Sequence, residues 1–185
     1  MIERLLSIWF LMTDTKRLFF ALWPEDNIRN EIAQVFKSSV YSKTDGQQYN
    51  LQNLHLTLHF LGNVSVEQYS CVLEAAEKVE FSEFTLNLDK FGVFEKAKVF
   101  WLGVSEIPEQ LALLHNRLGQ VLSACDYKDD KRVYTPHVTL IRKIKKMEFE
   151  ENASLVSWKV NRFALVESVT VNGLVLYKPV KFYNV

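Results

Sequence analysis

The chain has 185 residues, 48% of them apolar, with 22 Lys plus Arg set against 22 Asp plus Glu. That length suits one domain, or two small lobes sharing a core, and the balanced charge excludes a protein that coats nucleic acid through bulk electrostatics. Cys71 and Cys125 form no Cys-x-x-Cys unit, so no zinc knuckle or disulfide frame is expected; both read as buried thiols in a reducing, cytoplasmic compartment. The apolar run at residues 5–12 is too short to span a bilayer and no cleavage pattern follows it. Residues 1–15 therefore read as an N-terminal extension of one domain over 16–185. Met12 is an alternative start that would make residues 1–11 optional, and a membrane-surface helix is the rival reading.

In chain order, residues 17–23 are apolar and aromatic-rich and predict a central strand ended by Pro24. Pro24, Glu25 and Asp26 open a helix carrying Ile28, Ile32, Val35 and Phe36 at helical spacing. Residues 38–50 predict a loop, residues 54–60 a strand closed by Gly62 and Asn63, and Ser65 caps a helix to about Val79. Strands are expected at 84–91 and 98–104, around a turn at Glu95, Lys96 and Ala97. Pro108 opens a helix with the stripe Leu111, Leu114, Leu118 and Val121. A charged loop at 126–132 leads to a strand from His137, then a charged stretch at 143–151. The tail predicts strands near 155–160, 162–171 and 174–182, the last two joined by a hairpin at Asn172-Gly173.

Two of these strands carry the same words, His55-Leu-Thr57-Leu and His137-Val-Thr139-Leu. Alternation puts His55 with Thr57 on one strand face and His137 with Thr139 on another. Each segment thus offers an imidazole, whose pKa lies near neutrality, beside a hydroxyl donor. The motifs stand 82 residues apart, and sliding the chain by 82 lays residues 17–23 on 99–105, Ile32 on Leu114 and Phe36 on Leu118. This predicts an internal duplication whose halves face each other about a pseudo-twofold axis, bringing the two motifs to one cleft.

Other candidates carry competing readings. Alternation puts His59 on the face of His55 and Thr57 but roughly 13 Å from His55 along the strand, too far to share a metal; it reads as a solvated strand-end histidine or a lining of the outer cleft. His115 reads as structural. With no His-Glu-x-x-His and no carboxylate cluster near either motif, no metal or other cofactor is expected. Arg142, Lys143, Lys145 and Lys146 are either a solvated charge run or a phosphate clamp. Strict alternation puts Lys143 on the His137 face and Arg142 on the other, which a bulge would reverse. Trp23 and Phe60 are either core or stacking surfaces for a base.

The twin motifs resemble the signature of the 2H phosphoesterase superfamily, and within it the RNA 2′,3′-cyclic phosphodiesterase family, also called 2′-5′ RNA ligases. Residues 17–24, 53–62, 99–103, 135–142 and 163–168 match its successive segments, so the likeness runs from about Lys16 to Tyr177. It implies an α+β fold of two similar lobes, each a mainly antiparallel sheet with helices outside, around an active-site cleft. It implies metal-free hydrolysis of an RNA 2′,3′-cyclic phosphate to a 2′-phosphate, with His137 as base and His55 as acid. Thr57, Thr139 and Arg142 would contact the phosphate, Phe60 would pack near the terminal nucleotide, and 2′-5′ ligation would be the reverse reaction. The expected partner is RNA with a 2′,3′-cyclic phosphate end, met by a monomer with no membrane attachment. The alternatives are a phosphodiesterase for another cyclic or 2′-5′ linked nucleotide, and a non-catalytic RNA-end binder.

Overall fold

The apolar run after Lys16 forms β1 (Lys16–Leu22), and α1 (Asp26–Ser38) starts two residues after Pro24 with Ile28, Ile32 and Phe36 buried. These features belong to a computed structural model that describes residues 15–128, 132–145, 149–150 and 152–185. The expectations for residues 1–14 and for Lys146 lie outside the described residues. The predicted loop at 38–50 contains more than a loop: a 3₁₀ turn (Val40–Lys43), a two-residue strand β2 (Gln47–Gln48) and, beyond it, a 3₁₀ turn at Leu51–Asn53. Then come β3 (Leu56–Val64), α2 (Val66–Glu77), β4 (Phe84–Phe94) and β5 (Val99–Gly103). The chain ends with α3 (Glu109–Ser123), β6 (His137–Arg142), β7 (Asn152–Val160), β8 (Arg162–Val171) and β9 (Leu174–Asn184). Ser65 caps α2 as expected, its hydroxyl accepting from the Gln68 amide while Gln68 accepts from the Ser65 amide. Asn172 and Gly173 both take positive φ, 51° and 79°, as a two-residue hairpin turn between right-twisted strands requires.

The strands pair antiparallel in the order β7-β4-β5-β6-β3-β1-β8-β9, with β2 on β6. This is the α+β architecture expected, drawn as one continuous sheet. At its centre β3 and β6 meet through the single pair Leu56 and Val138. β7 lies at one end of the order and β8 next to the other end, yet only Asn161 separates them in sequence. One residue spans about 3.5 Å whereas strands are spaced about 4.8 Å apart, so the sheet must bend back strongly.

Register carries a repeat. In β3 the pairing with β1 slips between Phe20 and Ala21, leaving Leu58 as an extra residue; in β6 the pairing with β5 slips between Phe100 and Trp101, leaving Leu140 extra. These bulges stand 82 residues apart, like the histidines. Thr57 pairs with Ala21 and Thr139 with Trp101, so the partner strands correspond at an offset of 80. The slide of 82 for the first strands is thus corrected by two residues, because the path from β5 to β6 is two residues longer than the path from β1 to β3.

The large core lies on the sheet face covered by helices, where Phe20, Leu22, Leu56 and Leu58 from one unit and Phe100, Leu102, Val138 and Leu140 from the other meet Ile32, Leu114 and Leu118. Leu122, not Val121, completes the α3 stripe. The opposite face carries a smaller cluster of Phe19, Ala21, Trp23, Ala164 and Val166, with Tyr177 against it. The cysteine expectation is overturned: Cys71 of α2 and Cys125 just past α3 form a disulfide. Their Cα atoms lie 5.7 Å apart, within bridging range, because α2 and α3 pack side by side. A reducing compartment therefore cannot be argued from free thiols.

Candidate active site

His55 precedes β3 and His137 opens β6, and their backbones hold them alike. His55 Nδ1 lies 2.6 Å from the Asn53 carbonyl, and His137 Nδ1 lies 2.7 Å from the Thr135 carbonyl. A carbonyl only accepts, so each Nδ1 carries a proton and each neutral ring keeps its lone pair on Nε2. Among the described residues neither Nε2 has a partner. Asn53 is 6% exposed and locked to β9, its side-chain amide donating to Val175 O at 2.9 Å and accepting from Tyr177 N at 3.2 Å. The carbonyl that orients His55 is therefore rigid.

The two rings differ in surroundings. His55 packs against Phe19 at 4.8 Å, Tyr177 at 5.0 Å and Trp23 at 6.0 Å, the last stacked. His137 meets Phe94 at 4.8 Å and Trp101 at 6.0 Å. Trp101 is 7% exposed, with its Nε1 unpartnered among the described residues, and lies flat against Gly92 and Gly103, where any Cβ would strike the indole. Burial depresses both histidines. His55 is pushed down to about 4 by burial, then by the charges of His137, Arg142 and Arg29, against the opposing pull of the Asn53 carbonyl. His137 is lowered by burial and by Arg142, its hydrogen bond to the Thr135 carbonyl opposing.

The bulges settle the parity conflict at the end of the second motif. An extra residue at Leu140 puts Leu140 and Ile141 both into the core and turns Arg142 to the face of His137 and Thr139. Arg142 hydrogen-bonds through Nε to the Tyr49 hydroxyl, and its Cζ lies 5.2 Å from the Tyr49 ring centre. Tyr49 is itself pushed up to about 12, by burial first and then by Tyr177, against Arg142. Lys143 has φ 58° and is exposed where the strand ends, so strict alternation fails for it. The bulge at Leu58 acts likewise: Thr57 pairs with Ala21 and Phe60 with Phe19, both on the smaller-cluster face, while His59 pairs with core residue Phe20. His59 is thus corrected from a solvated histidine on the His55 face to one 2% exposed on the other. Its Nε2 donates to His115 O at 2.8 Å, and its ring stacks on His115 at 4.1 Å. His115 in turn stacks on Tyr134 at 3.8 Å. Trp23 is 8% exposed beside His55, whereas Phe60 is 50% exposed with the Arg17 guanidinium 5.1 Å over its ring.

A cleft of about 790 Å³ runs from Thr57 and His137 past Phe60, Phe94 and Tyr134 to Lys96. Among the described residues no hydrogen bond engages the Thr57 or Thr139 hydroxyl, and no three His, Cys, Asp or Glu side chains cluster so as to hold a metal ion. Nor is any helix among them long and apolar enough to cross a membrane. Tyr49 and Tyr177 were not foreseen; they reach the site from elements with no motif of their own.

Residues 24–180 match the model of the 2′-5′ RNA ligase superfamily. The chain is 31% identical over 171 residues to the RNA 2′,3′-cyclic phosphodiesterase of Escherichia coli strain K12, covering 92% of this chain and 97% of that protein. It is 29% identical to the protein of that name from Archaeoglobus fulgidus, over 91% of this chain and 99% of the other. The crystal structure of Escherichia coli LigT in complex with 3′-AMP superposes with a TM-score of 0.85 at 30% identity, covering 92% of this chain and 98% of that one. With the family model spanning most of the sequence and relatives aligned nearly end to end, the chain belongs to the 2′-5′ RNA ligase superfamily.

Proposed function

We propose that this protein hydrolyses RNA 2′,3′-cyclic phosphate ends to 2′-phosphates by two-histidine acid–base catalysis without a metal, in a duplicated, pseudo-twofold site. The observation that carries the reading is the matched pair of Nδ1–H···O=C bonds at His55 and His137, which leave two Nε2 atoms for proton transfer. The names of the relatives point to the same reaction.

His137 Nε2 takes a proton from water as the water oxygen bonds to phosphorus; the P–O3′ bond breaks, and His55 Nε2–H gives the departing oxygen its proton. Thr57 and Thr139 donate their hydroxyls to the non-bridging oxygens, and Arg142, turned to the His137 face by the Leu140 bulge, adds charge where the pentacoordinate transition state accumulates it. Phe60 offers an exposed ring for the terminal nucleotide, and Lys143 a peripheral cation. Both histidines are depressed in the free protein, so the acid cannot be charged near pH 7 before substrate arrives. The phosphodiester anion supplies the opposite charge that raises His55 into its protonated form. With a 5′-hydroxyl in place of water, the same forward steps join its oxygen to phosphorus and release the 3′-hydroxyl, giving a 2′-5′ linkage. The working form is a cytoplasmic monomer.

The test is incubation of the purified protein, in EDTA, with a short RNA ending in a 2′,3′-cyclic phosphate, followed by ³¹P NMR of the end. A 2′-phosphate is expected. A 3′-phosphate, or activity abolished by chelation, contradicts the mechanism, and tight binding without turnover supports an RNA-end binder instead.

A further inference from the structure

Arg29 takes no part in the chemistry above, yet it is a charged side chain only 4% exposed. Its Nη1 donates to Asp26 Oδ1 at 3.3 Å, but that carboxylate is 81% exposed, and Nε and Nη2 are buried without partners. Burying a guanidinium with two donors unsatisfied works against stability, so the fold alone gives it no reason to be there. What Arg29 does meet is a ring. Its Cζ lies 5.0 Å from the centre of Trp23, and Trp23 stacks on His55 at 6.0 Å with 20° between the planes. A cation, an indole and an imidazole thus stand in series.

The second unit lacks this series. At the strand offset of 80, Trp23 corresponds to Gly103, which pairs with His137; at the motif offset of 82, Arg29 corresponds to Leu111, fully buried. The same place in the fold therefore accepts an apolar side chain.

We propose that Arg29 is a positioning residue for His55: its buried guanidinium holds Trp23 flat against the imidazole and sets a positive charge behind it, making the two histidines of the site inequivalent. The proposal rests on the reading of His55 as the proton donor. The charged and titratable groups facing His55 are His137 and Arg142 from β6, Tyr177 from β9 and Arg29 from α1. Those facing Arg29 are Asp26 on its own helix and Arg162 from β8, which pairs with Glu25 at 3.4 Å. His55 is thus surrounded by positive charge and gains its proton only when an anion enters. Arg29 biases His55 toward waiting, and the less enclosed His137 lacks that bias.

The experiment compares Arg29→Met and Arg29→Lys in the full chain, reading the His55 ring by NMR titration without substrate and the pH profile of kcat, which reports the substrate complex, on a cyclic-phosphate-ended RNA. With Arg29 5.0 Å from the Trp23 ring centre and Trp23 6.0 Å from that of His55, the charge lies no more than about 11 Å away, and at an effective dielectric of about 20 it moves a titration by on the order of one pH unit. Arg29→Met is expected to keep or raise Tm, to move the His55 titration up by on the order of half a pH unit, and to move the alkaline limb of the profile with it. Arg29→Lys keeps the charge and is expected to leave the titration near wild type while lowering kcat through the lost planar stack. A Met variant that does not fold, or that folds with His55 titrating as in wild type, overturns the proposal. The ring titration needs no turnover, so a shifted His55 in a protein inactive on cyclic ends would sustain Arg29's role and sink the proposed reaction. Movement of the acidic limb instead would sustain Arg29's role and make His55 the base.

Discussion

Gly92→Ala is expected to damage the site from the far side of Trp101. A Cβ at Gly92 would stand 2.0, 2.2 and 2.5 Å from Cζ2, Cη2 and Cε2 of the indole, whereas carbon atoms settle at about 3.5–4.0 Å. The ring would have to retreat by roughly 1.5 Å to restore that separation. It has little room to do so: Trp101 is 7% exposed, it fits beside Gly103 only because that residue has no Cβ, and the Phe94 and His137 rings lie 5.4 and 6.0 Å away. Overpacking of this kind costs about 1–3 kcal/mol, and each kcal/mol lowers Tm by about 2–4 °C in a chain of this size. The indole would also press on the His137 ring, and a displacement of about 1 Å there can cost on the order of 10²-fold in rate. Far-UV circular dichroism melts and steady-state kcat on a cyclic-phosphate-ended RNA read the two effects together. Gly173→Ala is the control, because its φ of 79° strains any other residue but nothing lies within 4 Å of the new Cβ; Tm should fall slightly and kcat should hold. A Gly92→Ala protein with wild-type Tm and kcat would refute the wedged indole.

Three further outcomes are expected. Because the folded state holds His55 below its ordinary 6.5, the unfolded chain binds the extra proton; stability is full above pH 6.5 and is lost as pH falls toward about 4, by up to roughly 3 kcal/mol, and urea denaturation of His55→Gln should lack that part of the decline. Arg142→Lys keeps a charge but loses the fork held by Tyr49 and should lower kcat/KM about tenfold or more, whereas Lys143→Ala should change it less than about threefold; equal losses would contradict the turn to the His137 face at the Leu140 bulge. Thiol titration of the denatured native protein should find no free cysteine if Cys71 and Cys125 are paired in the cell, and two reactive thiols would mean that the bond is absent there.

Where local pattern decides structure, the sequence was legible. Pro24 and Ser65 set helix starts, Asn172-Gly173 sets a hairpin, and the two His-x-Thr words stand two residues beyond the carbonyls that orient their rings. Parity failed beyond Leu58 and Leu140, because a bulge inserts one residue without changing composition or hydrophobicity. That error sent His59 to the wrong face and left Arg142 and Lys143 in conflict. Tyr49 and Tyr177 reach the site from a short strand region and from β9, far from either motif, so no spacing announces them. The disulfide was hidden for the same reason: 54 residues separate two cysteines that only helix packing brings together.

The central claim is that one site uses both histidines, each for a different proton. Single-turnover rates of His55→Ala and His137→Ala on RNA ending in a 2′,3′-cyclic phosphate test it most directly. Each substitution is expected to cost on the order of 10²–10⁴ in rate while the fold is retained. Either variant cleaving the cyclic end at the wild-type rate would contradict it.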